Sequence, residues 1–73
     1  IINGLGGKAN ILSLENCITR LRVTMADPSL LDESLINRTV NSGIVKKGSD
    51  VQIVYGLRVA DVKRDVEEQL EKL

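Results

Sequence analysis

Two stretches in the first third of the chain carry apolar and polar side chains in the order expected for β-strands. In residues 19–25 one set of alternate positions holds Thr, Leu, Val and Met, and the other set holds two arginines and a threonine. Because successive side chains of a strand point to opposite faces, this pattern predicts a strand with one buried and one polar face. Residues 11–15 are a shorter apolar run, interrupted at Ser13, and are also predicted to be a strand. Residues 16–18 would then connect the two strands as a hairpin, with Cys17 at its tip.

A second pair of strands is predicted in the second half of the chain. Residues 43–46 and 51–55 are rich in Ile, Val and Tyr, and the segment between them, Lys-Gly-Ser-Asp, is typical of a tight turn. Gly56 follows the second of these strands and is expected to end it.

Three further segments carry helix signals. Residues 1–5 resemble the end of a helix, and the Gly-Gly pair that follows favours a helix C-terminus. Asp27 and Pro28 suit a capping position and a first helical position, so they predict a helix that ends before Gly43. The last segment is predicted to be a docking helix, because its apolar residues recur on one helical face: Val59, Val62, Val66, Leu70 and Leu73.

The order helix, strand, strand, helix, strand, strand, helix predicts an α+β fold. The expected architecture is an open-faced sandwich, in which a four-stranded, mainly antiparallel sheet is covered by helices on one face. A chain of 73 residues has room for one hydrophobic core, so residues 1–73 are predicted to be a single domain. Tyr55 is the only aromatic residue, and the remaining apolar side chains suit a small aliphatic core.

The charge and hydropathy of the chain argue against two kinds of protein, nucleic-acid binders and membrane-spanning helices. The ten basic and ten acidic residues cancel, and aromatic side chains for stacking on bases are nearly absent, so nucleic-acid binding is disfavoured. The chain has no apolar run of about 18 residues, the length that a membrane-spanning helix needs. The sequence therefore predicts a globular domain, which is compatible with a soluble piece of a membrane protein.

The chain has one cysteine and no histidine. An internal disulfide is impossible, and the usual zinc ligand sets are unavailable, so neither a metal site nor a cofactor is predicted. A nucleophile activated by a histidine of this chain is likewise excluded. Cys17 is then a buried inert thiol, a free reactive thiol or half of an intermolecular bridge.

The segment with the strongest chemical signal is Cys-Ile-Thr-Arg-Leu-Arg, which begins at Cys17. Residues two apart in a strand are separated by about 6.6 Å, so Arg20 and Arg22 can reach one anion from the same face. Their charge and the backbone N–H groups of a turn favour a thiolate and could also hold a phosphate bound to the sulfur. The alternatives are a cysteine that only fills space and arginines that only form a solvated outer face, with Gln52 an ordinary exposed strand residue.

Five segments, in this order, resemble the B domain of enzyme II from the glucose family of the bacterial phosphotransferase system. The resemblance covers nearly the whole chain, and its most specific part is the segment that begins at Cys17. The matching segments are Gly6-Gly7-Lys8 with Asn10-Ile11, Cys17-Ile18-Thr19-Arg20-Leu21-Arg22-Val23, Gly43-Ile44-Val45, Val51-Gln52 and Gly56.

The resemblance implies a protein-phosphohistidine–sugar phosphotransferase with a phosphocysteine intermediate. Cys17 would take a phosphoryl group from a phosphohistidine on the A domain and pass it to a sugar bound by the membrane C domain. Arg20 and Arg22 would act in the second transfer. Three further residues are expected to bind the phosphate: Ile18, Thr19 and Gln52.

The same resemblance places the domain at the cytoplasmic face of the bacterial membrane, as a fragment of a larger transporter. The helix signal at residues 1–5 independently predicts that the first helix is truncated. A B-like module that binds a partner without chemistry remains an alternative. A thiol redox sensor is a further alternative, although the chain lacks a second cysteine that could resolve an oxidised Cys17.

Overall fold

The computed structural model describes the whole chain, residues 1–73, and its centre is a four-stranded antiparallel sheet. Its spatial order is β1-β2-β4-β3, so β2 and β4 are the central strands. The bounds of the strands are β1 Ile11–Asn16, β2 Arg20–Met25, β3 Ile44–Lys47 and β4 Asp50–Val54. Both predicted strand pairs and the α+β class are confirmed, and the sheet is wholly antiparallel.

The two faces of the sheet differ as the alternating pattern predicted. In β2, Leu21, Val23 and Met25 are buried, whereas Arg20 and Arg22 are exposed. β4 contributes Val51 and Ile53 to the same core. The helical segments cover this apolar face, so the arginine-bearing face of the sheet is left open.

Helix α2, Val59–Glu71, is the long helix that packs on the apolar face. Val59 and Val66 are buried, as the periodicity predicted. Leu73 was expected on the same face, but it lies beyond the end of the helix and is 70% exposed. The docking face therefore ends at Leu70, which is half-buried.

The prediction of a single helix after Asp27 is wrong. The structure has a 3-10 turn, Pro28–Leu30, and then a separate short helix α1, Glu33–Ile36. Asp32 separates them because its backbone is extended and its carboxylate accepts hydrogen bonds from the N–H groups of Ser34 and Leu35, at 3.1 and 3.2 Å. It therefore acts as a second N-cap, after Asp27 has capped the first turn.

The start of the chain is a 3-10 turn, Asn3–Leu5, which ends at Gly6 with a left-handed φ of 89°. The predicted stop is thus found, although the expected α-helix before it is a single turn. A second 3-10 turn, Lys8–Asn10, was not predicted. Asn10 is buried, and it donates hydrogen bonds to the carbonyl oxygens of Leu5 and Asp27, at 2.9 and 3.0 Å.

Candidate functional site

The loop between β1 and β2 contains Cys17, and the thiol is exposed. At the base of the loop, the N–H of Cys17 donates to the carbonyl oxygen of Arg20 at 2.8 Å. The predicted connection is shifted by one residue, since Asn16 belongs to β1 and Thr19 belongs to the loop. Cys17 lies in the connection between the two strands, as expected, but at its base, and Ile18 and Thr19 form the tip.

Two backbone donors beside the thiol remain free. The N–H groups of Ile18 and Thr19 donate to no backbone acceptor. Neither residue lies in a strand, so the sheet does not pair these amides. Consecutive unpaired N–H groups can donate hydrogen bonds to an anion that lies beside Cys17.

The side chain of Arg22 contacts the thiol. Its Nη1 donates towards Cys17 Sγ across 3.9 Å, a long contact of the kind that sulfur makes. Both arginines lack an acidic partner, because the ion pairs of the chain involve other residues. Their positive charge is therefore available to an anion on the open face.

Arg20 has a different neighbour. Its Nη1 donates to Gln52 Oε1 at 3.0 Å, although Gln52 lies opposite Arg22 in the register of β2 and β4. The structure thus brings Arg22 to the thiol and holds Arg20 through Gln52. The Arg22–Cys17 pair and the Arg20–Gln52 pair both lie on the open face of the sheet. Gln52 contacts an arginine rather than Cys17.

Sequence reasoning missed a contact that fixes the loop from the side of β4. The carbonyl oxygen of Thr19 accepts hydrogen bonds from the N–H groups of Tyr55 and Gly56, at 3.0 and 2.9 Å. The glycine after β4 was a visible signal for a special backbone conformation, but the sequence does not show which acceptor it faces.

Tyr55 ties this contact to the core. Its ring is buried, and burial raises the pKa of its phenol. The hydroxyl lies 2.8 Å from Thr39 Oγ1, which itself donates to the carbonyl oxygen of Ile36 at 2.6 Å. Since the single proton of the Thr39 hydroxyl is used in that bond, the phenol of Tyr55 is the donor to Thr39.

Two large apolar side chains stand in solvent near the loop. Ile18 is 82% exposed, and Leu57, next to Gly56, is 86% exposed. Exposed apolar side chains beside an exposed thiol form a surface that is suited to contact a protein partner.

The chain contains no group of three or more His, Cys, Asp or Glu residues placed to hold a metal ion. None of its helices has both the length and the apolar character needed to cross a bilayer.

Comparison with known proteins gives consistent matches. The family model described as "phosphotransferase system, EIIB" matches residues 1–32. The N-acetylglucosamine-specific EIIB component of the Streptomyces coelicolor phosphotransferase system is 37% identical over 70 residues, which are 96% of this chain and 91% of that protein.

Longer relatives match over a small part of their length. The α-glucoside-specific EIICB component of Leptotrichia buccalis is 42% identical over 73 residues, 99% of this chain but 14% of the relative. The N-acetylglucosamine-specific EIICB component of Bacillus subtilis is 42% identical over 60 residues, 81% of this chain and 13% of the relative.

A solved structure shares the fold. One domain of the phosphotransferase system IIabc component from Clostridium difficile superposes with a TM-score of 0.74 and 26% identity, over 88% of this chain and 70% of that one. Together with the family match and the sequence relatives, this confirms the family that the motif at Cys17 indicated. The chain belongs to the EIIB family of the phosphotransferase system, in its glucose family, and is a phosphotransfer component of sugar transporters of this system.

Proposed function

We propose that Cys17 is the residue that accepts the phosphoryl group and passes it on to a sugar. The observation that carries this proposal is the meeting of three features at one point: an exposed thiol, an arginine at 3.9 Å from its sulfur, and two unpaired N–H groups in the same loop. A nucleophile needs the first feature, and a phosphate bound to sulfur needs the other two.

The first transfer takes the phosphoryl group from a phosphohistidine. The sulfur of Cys17 bonds to phosphorus as the phosphorus–nitrogen bond breaks, the electron pair goes to the histidine nitrogen, and the thiol proton ends on that imidazole. The phosphate then lies beside Arg22 and the N–H groups of Ile18 and Thr19. These groups stabilise its negative charge by charge-assisted hydrogen bonds.

The second transfer moves the phosphoryl group to a sugar hydroxyl. The hydroxyl oxygen bonds to phosphorus, the sulfur–phosphorus bond breaks, and the electron pair and the hydroxyl proton end on the sulfur of Cys17. Charge is spread over the oxygens of the moving group, so guanidinium groups that face those oxygens lower the barrier. Arg22 is placed for this role, and Gln52 fixes Arg20 beside it. Gln52 accepts from Arg20 through Oε1, which leaves the N–H groups of its side-chain amide free to donate to the phosphate.

The partners follow from the chemistry and from the names of the relatives. Two of them are EIICB components, in which a C component accompanies the B component. We assign the donor to a phosphohistidine-bearing A domain and the acceptor to a sugar held by a membrane C domain. Residues 1–73 then form one B domain of a larger transporter, at the cytoplasmic face of the membrane. Ile18 and Leu57 are placed to contact these partners in turn.

Reconstitution of sugar phosphorylation tests the proposal. Membranes that contain a C domain and lack their own B domain are supplied with a phosphorylated A domain, a sugar and this chain. Wild-type protein should support formation of sugar phosphate, and Cys17→Ser should not. The proposal would be contradicted if Cys17→Ser formed as much sugar phosphate as wild type. It would also be contradicted if wild-type protein produced no sugar phosphate with any C domain of the glucose family. A protein that binds the partners without supporting transfer would be a non-enzymatic B-like module.

A further inference from the structure

The end of β4 forms a small concave site for a carbonyl oxygen. Tyr55 is in the right-handed region, with φ −97° and ψ −9°, and Gly56 has a left-handed φ of 77°. A right-handed residue followed by a left-handed one turns successive N–H groups towards one point and forms a nest. The oxygen that occupies this nest belongs to Thr19, at 3.0 Å from Tyr55 N and 2.9 Å from Gly56 N.

This nest is anchored to the interior. Tyr55 is a member of the core cluster, and its hydroxyl is bonded to Thr39. The loop that carries Cys17 is therefore fastened at two points, at its base through the Cys17–Arg20 hydrogen bond and at Thr19 through a rigid part of the fold.

We propose that Gly56 is a positioning residue for phosphoryl transfer at Cys17, because its left-handed conformation completes the nest that holds the Thr19 carbonyl. The inference rests on the proposed function. With its oxygen occupied by the nest, the Thr19 carbonyl is held at the β4 side, while the N–H groups of Ile18 and Thr19 stay free. Gly56 touches no reacting atom, and it acts by keeping these two donors in place for the phosphate.

The chain offers a matched control in Gly48, in the turn between β3 and β4. Gly48 also has a left-handed φ, 61°, and an added Cβ at either glycine would meet no atom within 4 Å. Alanine at either position therefore brings similar backbone strain and no steric clash. The two sites lie at opposite ends of β4, so only Gly56 is close to Cys17.

The experiment compares Gly56→Ala, Gly48→Ala and Gly56→Asn, the last because Asn tolerates the left-handed region. Melting temperature, the Michaelis constant for the phosphorylated A domain and the single-turnover rate at saturating donor are measured for each. We expect both alanine variants to melt at similarly lowered temperatures. Only Gly56→Ala should slow single-turnover transfer, by about tenfold or more, with little change in the Michaelis constant, and Gly56→Asn should recover most of the rate.

A second readout does not depend on phosphorylation. The ¹H–¹⁵N heteronuclear NOE of the Ile18 and Thr19 amides should fall in Gly56→Ala and stay at the wild-type value in Gly48→Ala. If the two alanine variants are equal in transfer rate and in NOE, the inference is wrong. If wild-type protein accepts no phosphoryl group at all, the proposed function fails, and the NOE comparison alone decides whether Gly56 orders the loop.

Discussion

Arg22, the third residue of β2, contacts the thiol of Cys17, with its Nη1 at 3.9 Å from the sulfur. Arg20 is nearer to Cys17 in the sequence, yet its guanidinium donates to Gln52. The two arginines of the motif therefore differ in their surroundings, although both lie on the open face of the sheet. This difference leads to separate expectations for the two side chains.

Replacement of either arginine by lysine should separate the two transfer steps. Lysine keeps the positive charge and loses the planar fork, so Arg22→Lys should still permit phosphorylation of Cys17 but slow transfer to sugar by roughly a hundredfold. Arg20→Lys is expected to act in the same direction. Single-turnover kinetics with a phosphorylated A domain and with a C domain measure the two steps. Equal slowing of both steps would assign the arginines to general anion binding, and an unchanged rate in both would leave them as a solvated outer face.

Gln52 should act on transfer through Arg20. Gln52→Ala removes the Oε1 acceptor at 3.0 Å and releases the guanidinium, so the rate of transfer to sugar should fall. In the double variant Gln52→Ala/Arg20→Lys, the increase in activation free energy should be smaller than the sum of the increases in the two single variants, because the two residues form one contact. The double-mutant cycle is measured on single-turnover rates. Fully additive effects would show that Gln52 works independently of Arg20, for example by direct contact with the phosphate.

Tyr55 should make stability fall at high pH. Burial raises the pKa of its phenol above the ordinary value of about 10. The unfolded chain loses this proton first, so the stabilisation is complete below pH 10 and is lost as the pH rises through the higher folded-state pKa. Urea unfolding of wild type and Tyr55→Phe across this range isolates the effect, since the chain has no other tyrosine. Identical pH profiles for the two proteins would contradict the assignment.

The same variant tests the hydrogen bond to Thr39. Tyr55→Phe leaves the Thr39 hydroxyl without its donor at 2.8 Å, and we expect a loss of about 1 kcal/mol in the free energy of unfolding at neutral pH. Urea unfolding at pH 7 measures it. An unchanged free energy would mean that this bond does not stabilise the fold.

Asn10 should be important for stability rather than for transfer. Its amide bridges Leu5 and Asp27, and its Oδ1 accepts from the N–H of Asp27 at 2.7 Å. Asn10→Ala leaves these backbone groups unpaired, and we expect a loss of about 2 kcal/mol or more in the free energy of unfolding. Asn3→Ala, at an exposed position, is the control and should change it by less than about 0.5 kcal/mol. Similar losses in both variants would rule out a special role for Asn10.

The sequence was sufficient to predict the sheet because strand periodicity is local. Each second residue of β2 is buried, and this pattern alone placed Arg20 and Arg22 together on the open face. It was not sufficient to rank the two arginines. Their contacts depend on the register between β2 and β4, which brings Gln52 within reach of Arg20.

Two other features were not predicted correctly: the break in the helix after Asp27 and the nest at Gly56. The helix predicted after Asp27 is longer than the observed one. Asp32 is followed by Ser34 at the same spacing as Asp27 and Ser29, so the sequence does contain a second capping signal. The nest at Gly56 joins residues far apart in the chain, and no spacing in the sequence identifies Thr19 as its partner.

The central claim is that the phosphoryl group is carried on Cys17, and intact-mass spectrometry after incubation with a phosphorylated A domain tests it most directly. Wild-type protein should gain the mass of one phosphoryl group, and peptide mapping should place it on Cys17. Cys17→Ser should gain none and keep the wild-type melting temperature, because the exposed side chain packs against little. A phosphorylated Cys17→Ser protein, or a phosphoryl group mapped to another residue of the wild type, would contradict the account.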